Sequence, residues 1–541
     1  MRKKFKKLTA LALTAATVFS LSACGGSDSG SGSTSKTGAN EIICSEQPEN
    51  GEYDPAGATA YVYFDYQTYC LEGLIDYSED GEIIPAAAET WESNDDATEW
   101  TFHLSSDGKW SDGSAVTSAD FLNTIVRALN PDKGSWYVDS LFVIKNAEAA
   151  FNGEASIEDI GVECADDYTI KFTLEEPCAC FLDLLKLPVY MPSNCKYATE
   201  EDEEWDSDPA KNLGNGPFTM GDHKAGEYIT FVKNEYYRKA DEVSIEKLTY
   251  KFMNDDQAIT SAYKTGELDM ISGAPYYVQE QYEGKNDLQL SPVLVTNYIL
   301  FNINEEPFDD VRVRQAFALA VCREDITTVI GTCYTPSTTF VAAKYKSKVD
   351  GTAWIDVQDE LLEENLEKAK ELLAEAGYPN GEGLPEITYT YPAMSYEADV
   401  AQVLQEQWSK LGVTVKLEAM EYEVYVDARR NGELQLARHQ WTGDYNDPAT
   451  WLDMYRDGNS QNDIDWYNEE YNELMDESQS ETDTAKREEL LLEAEKILVS
   501  EDTVICPLFT TDSIYLVNPA IKDFGQYAMG GLDIRFATKG E

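Results

Sequence analysis

Three histidines, His103, His223 and His439, and ten cysteines are the residues with which this chain of 541 could most directly do covalent or metal chemistry. Their setting speaks against catalysis. No Gly-x-Ser-x-Gly elbow and no His-Glu-x-x-His pair occurs, and neither Gly108-Lys109 nor Gly284-Lys285 is followed by the Ser or Thr that a phosphate-binding loop requires. His103 stands in the middle of an alternating stretch and reads as a packed strand residue. A carboxylate pair of the glycosidase kind cannot be picked out, because 100 Asp and Glu residues offer too many pairs.

Setting Cys24 aside leaves Cys44, Cys70, Cys164, Cys178, Cys180, Cys195, Cys322, Cys333 and Cys506. An odd set cannot pair completely, and the spacings match neither a zinc ribbon nor a redox Cys-x-x-Cys. Cys178-Ala179-Cys180 could hold a soft metal, but buried free thiols are the plainer reading. In a host living without oxygen, exported thiols stay reduced. The expectation is therefore no cofactor, no metal and no enzyme activity.

Cys24 has a different context. Arg2, Lys3, Lys4, Lys6 and Lys7 precede an apolar run from Leu8 to Leu21, the layout of a secretory signal. The run is shorter than the roughly 20 residues needed to span a bilayer. It ends in Leu21-Ser22-Ala23-Cys24, which resembles a bacterial lipobox, so residues 1–23 are expected to be a cleaved signal peptide and Cys24 the site of lipidation. The Gly/Ser-rich stretch to Asn40 lacks packing residues and reads as a tether, residues 24–40, with a root-mean-square reach of about 20 to 25 Å.

The elements beyond must position whatever chemistry remains. Trp100 to Leu104 alternates as a strand, and Thr117 or Ser118 caps a helix from Ala119 to about Leu129. Glu360 to Ala376 carries Leu362, Leu366, Ala369, Leu372, Leu373 and Ala376 on one helical face, ending at Gly377 and Pro379. A helix over about Tyr396 to Leu411 leads into an alternating strand, Val413 to Leu417, and a further helix covers Thr484 to Val499. Helices and strands in alternation predict a mixed α/β fold. At about 500 residues and 43% hydrophobic content, the body is too long for one compact domain. The whole chain's net charge of −58 opposes nucleic acid and anionic lipid.

Several segments then resemble, in order, the peptide-binding proteins of ABC importers, extracellular solute-binding protein family 5. They include Leu71-Glu72-Gly73-Leu74, Lys109-Trp110-Ser111-Asp112-Gly113, Gly214-Asn215-Gly216-Pro217-Phe218, and Pro307 to Ala316. The most telling is Trp441-Thr442-Gly443-Asp444-Tyr445-Asn446-Asp447-Pro448, and the oligopeptide-binding lipoproteins are the branch it is most similar to. This resemblance implies a two-lobed, hinge-bending, periplasmic-binding-protein-like fold with an additional accessory domain. Lobe I would comprise 41–75, 204–294 and 511–541, the accessory domain 76–203, and lobe II 295–510, with hinge strands crossing near Leu294 and Thr510. The implied function is capture of oligopeptides between the lobes for delivery to membrane permease subunits, by a monomer on the outer face of the cytoplasmic membrane.

By the same resemblance, Asp444 receives the ligand's α-ammonium group. Arg438 and Arg429 fall where that branch lines its cleft with arginine, Tyr422 and Trp441 where it places cleft aromatics, and Tyr298 is a further candidate. Two departures bear on the ligand's other end. Acidic Glu397 lies near the position where the closest branch carries a histidine, and the loop after Arg323-Glu324-Asp325 lacks that branch's lysine. The cleft strand expected around Tyr61 to Phe64 aligns poorly. Two other readings remain open: the same fold binding a dipeptide, nickel complex, haem or sugar, and a lipid-anchored hydrolase or adhesin.

Overall fold

Two long antiparallel strands, Leu288–Phe301 and Ile505–Val517, run side by side through the middle of the molecule. The computed structural model describes residues 40–46, 53–57, 61–199, 204–275, 277–358, 361–394, 396–527 and 530–540. The signal, Cys24 and the tether lie outside the described residues.

The central strands pair Leu288 with Leu516 through Pro292 with Asp512, then shift register and resume at Thr296 with Thr510. That irregularity falls where the hinge was expected from the sequence. On one side the sheet continues through Met270–Ile271, Glu41–Glu46, Lys247–Phe252, Tyr228–Lys233 and Phe218–Lys224. On the other it continues through Leu436–Thr442, Ile387–Pro392 and Val415–Met420. With Tyr334–Pro336, which pairs with Ile505–Val517 off this path, eleven described strands make one sheet, and each half has its own apolar core. Mixed α/β architecture is what the alternation of elements predicts.

A separate four-stranded sheet, Ala88–Ser93, Glu99–Leu104, Thr169–Thr173 and Val162–Asp166, lies within the 76–203 stretch. Its apolar side joins the core beneath Glu41–Glu46 rather than forming an isolated one. Against it packs the helix Ser118–Ala128, where Thr117 and Asp120 form a capping box and Phe121, Thr124, Ile125 and Ala128 face inward.

Four local expectations are corrected. The stretch from Tyr61 forms a helix, Tyr61–Cys70, not a strand. Tyr66, Tyr69 and Cys70 fall on one helical face, where Tyr69 meets Phe218, Phe231 and Tyr250. The helix expected from Glu360 begins at Leu366, because the Asn365 side chain accepts the Lys368 N–H and caps it there. Leu362 is buried all the same, in the preceding turn. The strand expected from Val413 runs Val415–Met420. His103 is half-exposed, since strand alternation sends Phe102 and Leu104 inward and leaves the imidazole facing out near Glu92. Six of the nine described cysteines are buried, and the Sγ atoms of Cys178 and Cys180 sit 3.6 Å apart.

Candidate ligand-binding site

The strand Leu436–Thr442 pairs with Leu288–Phe301 up to Thr442 opposite Val295, and the chain then turns. Gly443 N–H donates to the Leu294 carbonyl at 2.8 Å, anchoring the turn beside the central strands. A side chain could not stand at 443, because a Cβ there would lie 2.6 Å from the Trp451 ring. The Asp444 N–H donates to Thr450 Oγ1 at 2.9 Å, and the Trp441 indole donates to the Thr450 carbonyl at 2.7 Å. Asp447 does the structural work of the turn. Its carboxylate accepts the Ala449 N–H that starts the helix Ala449–Leu452 and is gripped from both sides by Arg487, at 2.7 and 2.8 Å. Arg487 holds Asp447 well below the ordinary carboxylate range despite complete burial.

Asp444 is thereby left to face a cavity of about 280 Å³, between the 136–187 stretch and the 441–487 stretch. Trp136, Tyr137, Cys178 and Cys180 wall one side; Trp441, Asp444, Tyr445, Asp453 and Arg487 wall the other. Its size suits a small ligand or the end of a longer one. Burial raises the Asp444 carboxyl from 3.8 to about 6, opposed by the Tyr137 hydroxyl donating at 3.4 Å. No Lys, Arg or His among the described residues forms an ion pair with it. Partial desolvation also shifts the Asp453 carboxyl upward, although its side chain keeps 37% of its exposure.

Of the six residues singled out in the sequence, Asp444 and Trp441 share this cavity, and the other four lie away from its lining. Tyr298 is wholly buried, stacked on His439 at 4.9 Å and in hydroxyl contact with Tyr455. Tyr422 begins the helix Tyr422–Arg430 and is 55% exposed. Arg429 is buried against Asp463 and His439, and this neighbouring positive charge together with burial keeps the imidazole neutral. Arg438 is bound to Glu397 at 2.6 Å and to Asn297 at 2.9 Å. The sequence offered no motif for Tyr137, Asp453 or Arg487, although the Trp136-Tyr137 pair in a Gly/Ser-flanked loop was a signal available to find.

The cavity's two walls are tied together. Lys348 Nζ bridges Asp183, at 2.6 Å, and Asp447, at 3.4 Å, while Tyr77 donates to Asp183 at 2.9 Å. Nearby, Asn446 donates to the Gly81 carbonyl and Ala179 N–H to the Gln479 carbonyl.

A sheet continued across two cores, with a half-buried carboxylate that has no cation partner in a cavity lined from separate stretches, is the architecture of a ligand-capturing receptor. The chain belongs to the bacterial extracellular solute-binding proteins, family 5, whose sequence pattern matches residues 82–463. It is 30% identical over 546 residues to the dipeptide-binding protein DppE of Bacillus subtilis, spanning 99% of this chain and 100% of that one. It is 32% identical over 506 residues to the oligopeptide-binding protein OppA of the same organism, 91% and 92% respectively. Among solved structures, Haemophilus influenzae OppA in complex with RPPGFSPFR superposes with a TM-score of 0.73 at 28% identity, covering 93% of this chain and 100% of that one.

Proposed function

We propose that this chain is the extracytoplasmic receptor of an ABC importer, that it captures peptides, and that Asp444 receives the ligand's α-ammonium group. The observation that carries the reading is the half-buried Asp444 carboxylate, which faces the cavity with no cation among the described residues paired to it. A partly desolvated carboxylate with only one long hydrogen bond is unfavourable, and an ammonium group supplies the charge-assisted hydrogen bond it lacks. Trp441 and Tyr137 flank it and fit the apolar part of a first residue. The peptide-binding relatives named above support the ligand class.

In this reading, residues 41–75, 204–294 and 511–541 form one lobe, 295–510 the other, and 76–203 an accessory domain. Closure about Leu294 and Thr510 over the ligand makes the form that the permease subunits accept. Removal of residues 1–23 and lipidation of Cys24 hold the monomer at the membrane through the 24–40 tether. No helix among the described residues is long and apolar enough to cross a membrane.

Titration with a random peptide library tests the site. Asp444→Ala should weaken binding at least tenfold, and unchanged affinity would remove Asp444 from it. For the anchor, Cys24→Ser should abolish incorporation of labelled fatty acid in the expressing cell. Persistent labelling would place the lipid elsewhere.

A further inference from the structure

The ionisable side chains lining the cavity are Asp139, Asp444, Asp453, Arg456 and Arg487. The two arginines already have carboxylate partners. Arg487 is bidentate on Asp447, and Arg456 is bound to Asp476 and lies 3.5 Å from Asp453. Asp139 and Asp444 have no ion-pair partner among the described residues.

The same pattern holds for several cations outside the cavity lining. Arg438 is neutralised by Glu397, Arg429 by Asp463, Lys344 by both oxygens of Asp512 at 2.6 and 2.7 Å, and Lys348 by Asp183. These cations are committed to carboxylates of the protein itself. A ligand carboxylate joining one of them would place a second negative charge on a single, already neutralised cation, leaving one charge uncompensated. A ligand ammonium has Asp444 waiting. The chain's net charge of −58 acts in the same direction at longer range, drawing in cations and opposing anions.

We infer that the receptor selects its ligands as cations, reading the amino end while making no charge contact with the C-terminal carboxylate. The inference rests on the reading of Asp444 as the ammonium acceptor and adds to it the ligand class: net-positive peptides, accepted whether the carboxyl end is free, amidated or extended. Identical ligand backbones with opposite termini blocked separate the two claims.

The test is competitive capture by the full mature protein from three random tripeptide pools, one with both termini free, one C-terminally amidated and one N-acetylated, with mass spectrometry of what is retained. Amidated peptides should be retained at least as well as free ones, with Lys and Arg enriched at least fivefold over Asp and Glu. A tenfold preference for the free carboxyl form, or enrichment of acidic peptides, would overturn the inference and leave Asp444 in its role. Retention of the N-acetylated pool equal to the free pool, or retention of none of the three, would overturn the Asp444 reading and the inference with it.

Discussion

Asp444 and Asp447 stand three positions apart in one turn, the first half-buried and the second wholly buried, and have opposite fates. Arg487 and Lys348 stabilise Asp447 as a carboxylate, whereas Asp444 is raised to about 6 by burial with only a long hydrogen bond from Tyr137 in return. Because its folded pKa lies above the unfolded 3.8, Asp444 binds a proton more readily in the folded state. Its contribution to stability therefore falls as pH rises from about 4 to about 6, and the penalty at neutral pH is up to about 3 kcal/mol. Asp444→Asn should raise the thermal midpoint of the ligand-free protein at pH 7 by a few degrees while weakening peptide binding at least tenfold. A fall in both would mean that Asp444 is part of the fold's support. Affinity for an α-amino ligand should drop about fivefold between pH 6 and pH 5 in the wild type, as the carboxylate takes up its proton. In Asp444→Asn that pH dependence should shrink, leaving what Asp453 contributes. The two carboxylates were distinguishable in the sequence only through resemblance. Turn chemistry could be assigned to Asn446 and Asp447 locally, but the burial that makes Asp444 reactive toward a cation depends on Tyr137, some 300 positions earlier.

At the scale of elements, the turn after Leu436–Thr442 depends on a glycine and on an ion cluster. Gly443→Ala would push a methyl group into the Trp451 ring and displace the segment bearing Asp444. Peptide affinity should fall several-fold, with a modest loss of stability as the ring repacks. Unchanged affinity would show that the turn tolerates the shift. Lys348→Met would leave Asp183, nearly inaccessible at 2% side-chain exposure, without its cation. The expected loss is about 3 kcal/mol, less whatever water reaches the half-buried ammonium site, read as a lower midpoint in calorimetry. A midpoint unchanged within error would show that the bridge contributes nothing to holding the two walls together. Amphipathic stretches such as Ser118–Ala128 and Glu397–Ser409 were legible within a residue or two, because their period and caps are local. The Tyr61–Cys70 helix was not, since aromatic residues favour strands in isolation and its helical face is defined only by Phe218, Phe231 and Tyr250. Likewise Arg438 and Arg429 carried no sign in the sequence that Glu397 and Asp463 would occupy them.

At the scale of the whole molecule, the crossing strands explain how one chain can hold two cores and still move as a clamp. Leu288–Phe301 and Ile505–Val517 are continuous through both halves, and their register shift near Pro292 to Thr296 concentrates the irregular backbone at one level. Ligand that bridges the cavity walls adds contacts present only in the closed form, so binding and closure are linked. Saturating peptide should then raise the thermal midpoint in proportion to the logarithm of its concentration over Kd. The central claim is that this closed cavity holds a peptide by its amino end at Asp444. A crystal structure of the mature protein with a bound peptide tests it most directly. The account predicts the α-ammonium nitrogen at about 2.7 to 2.9 Å from an Asp444 carboxylate oxygen, with the carboxyl end out of reach of any lysine or arginine. A ligand seated with its carboxylate on Arg438 or Arg429, or one whose amino end lies away from Asp444, would contradict it.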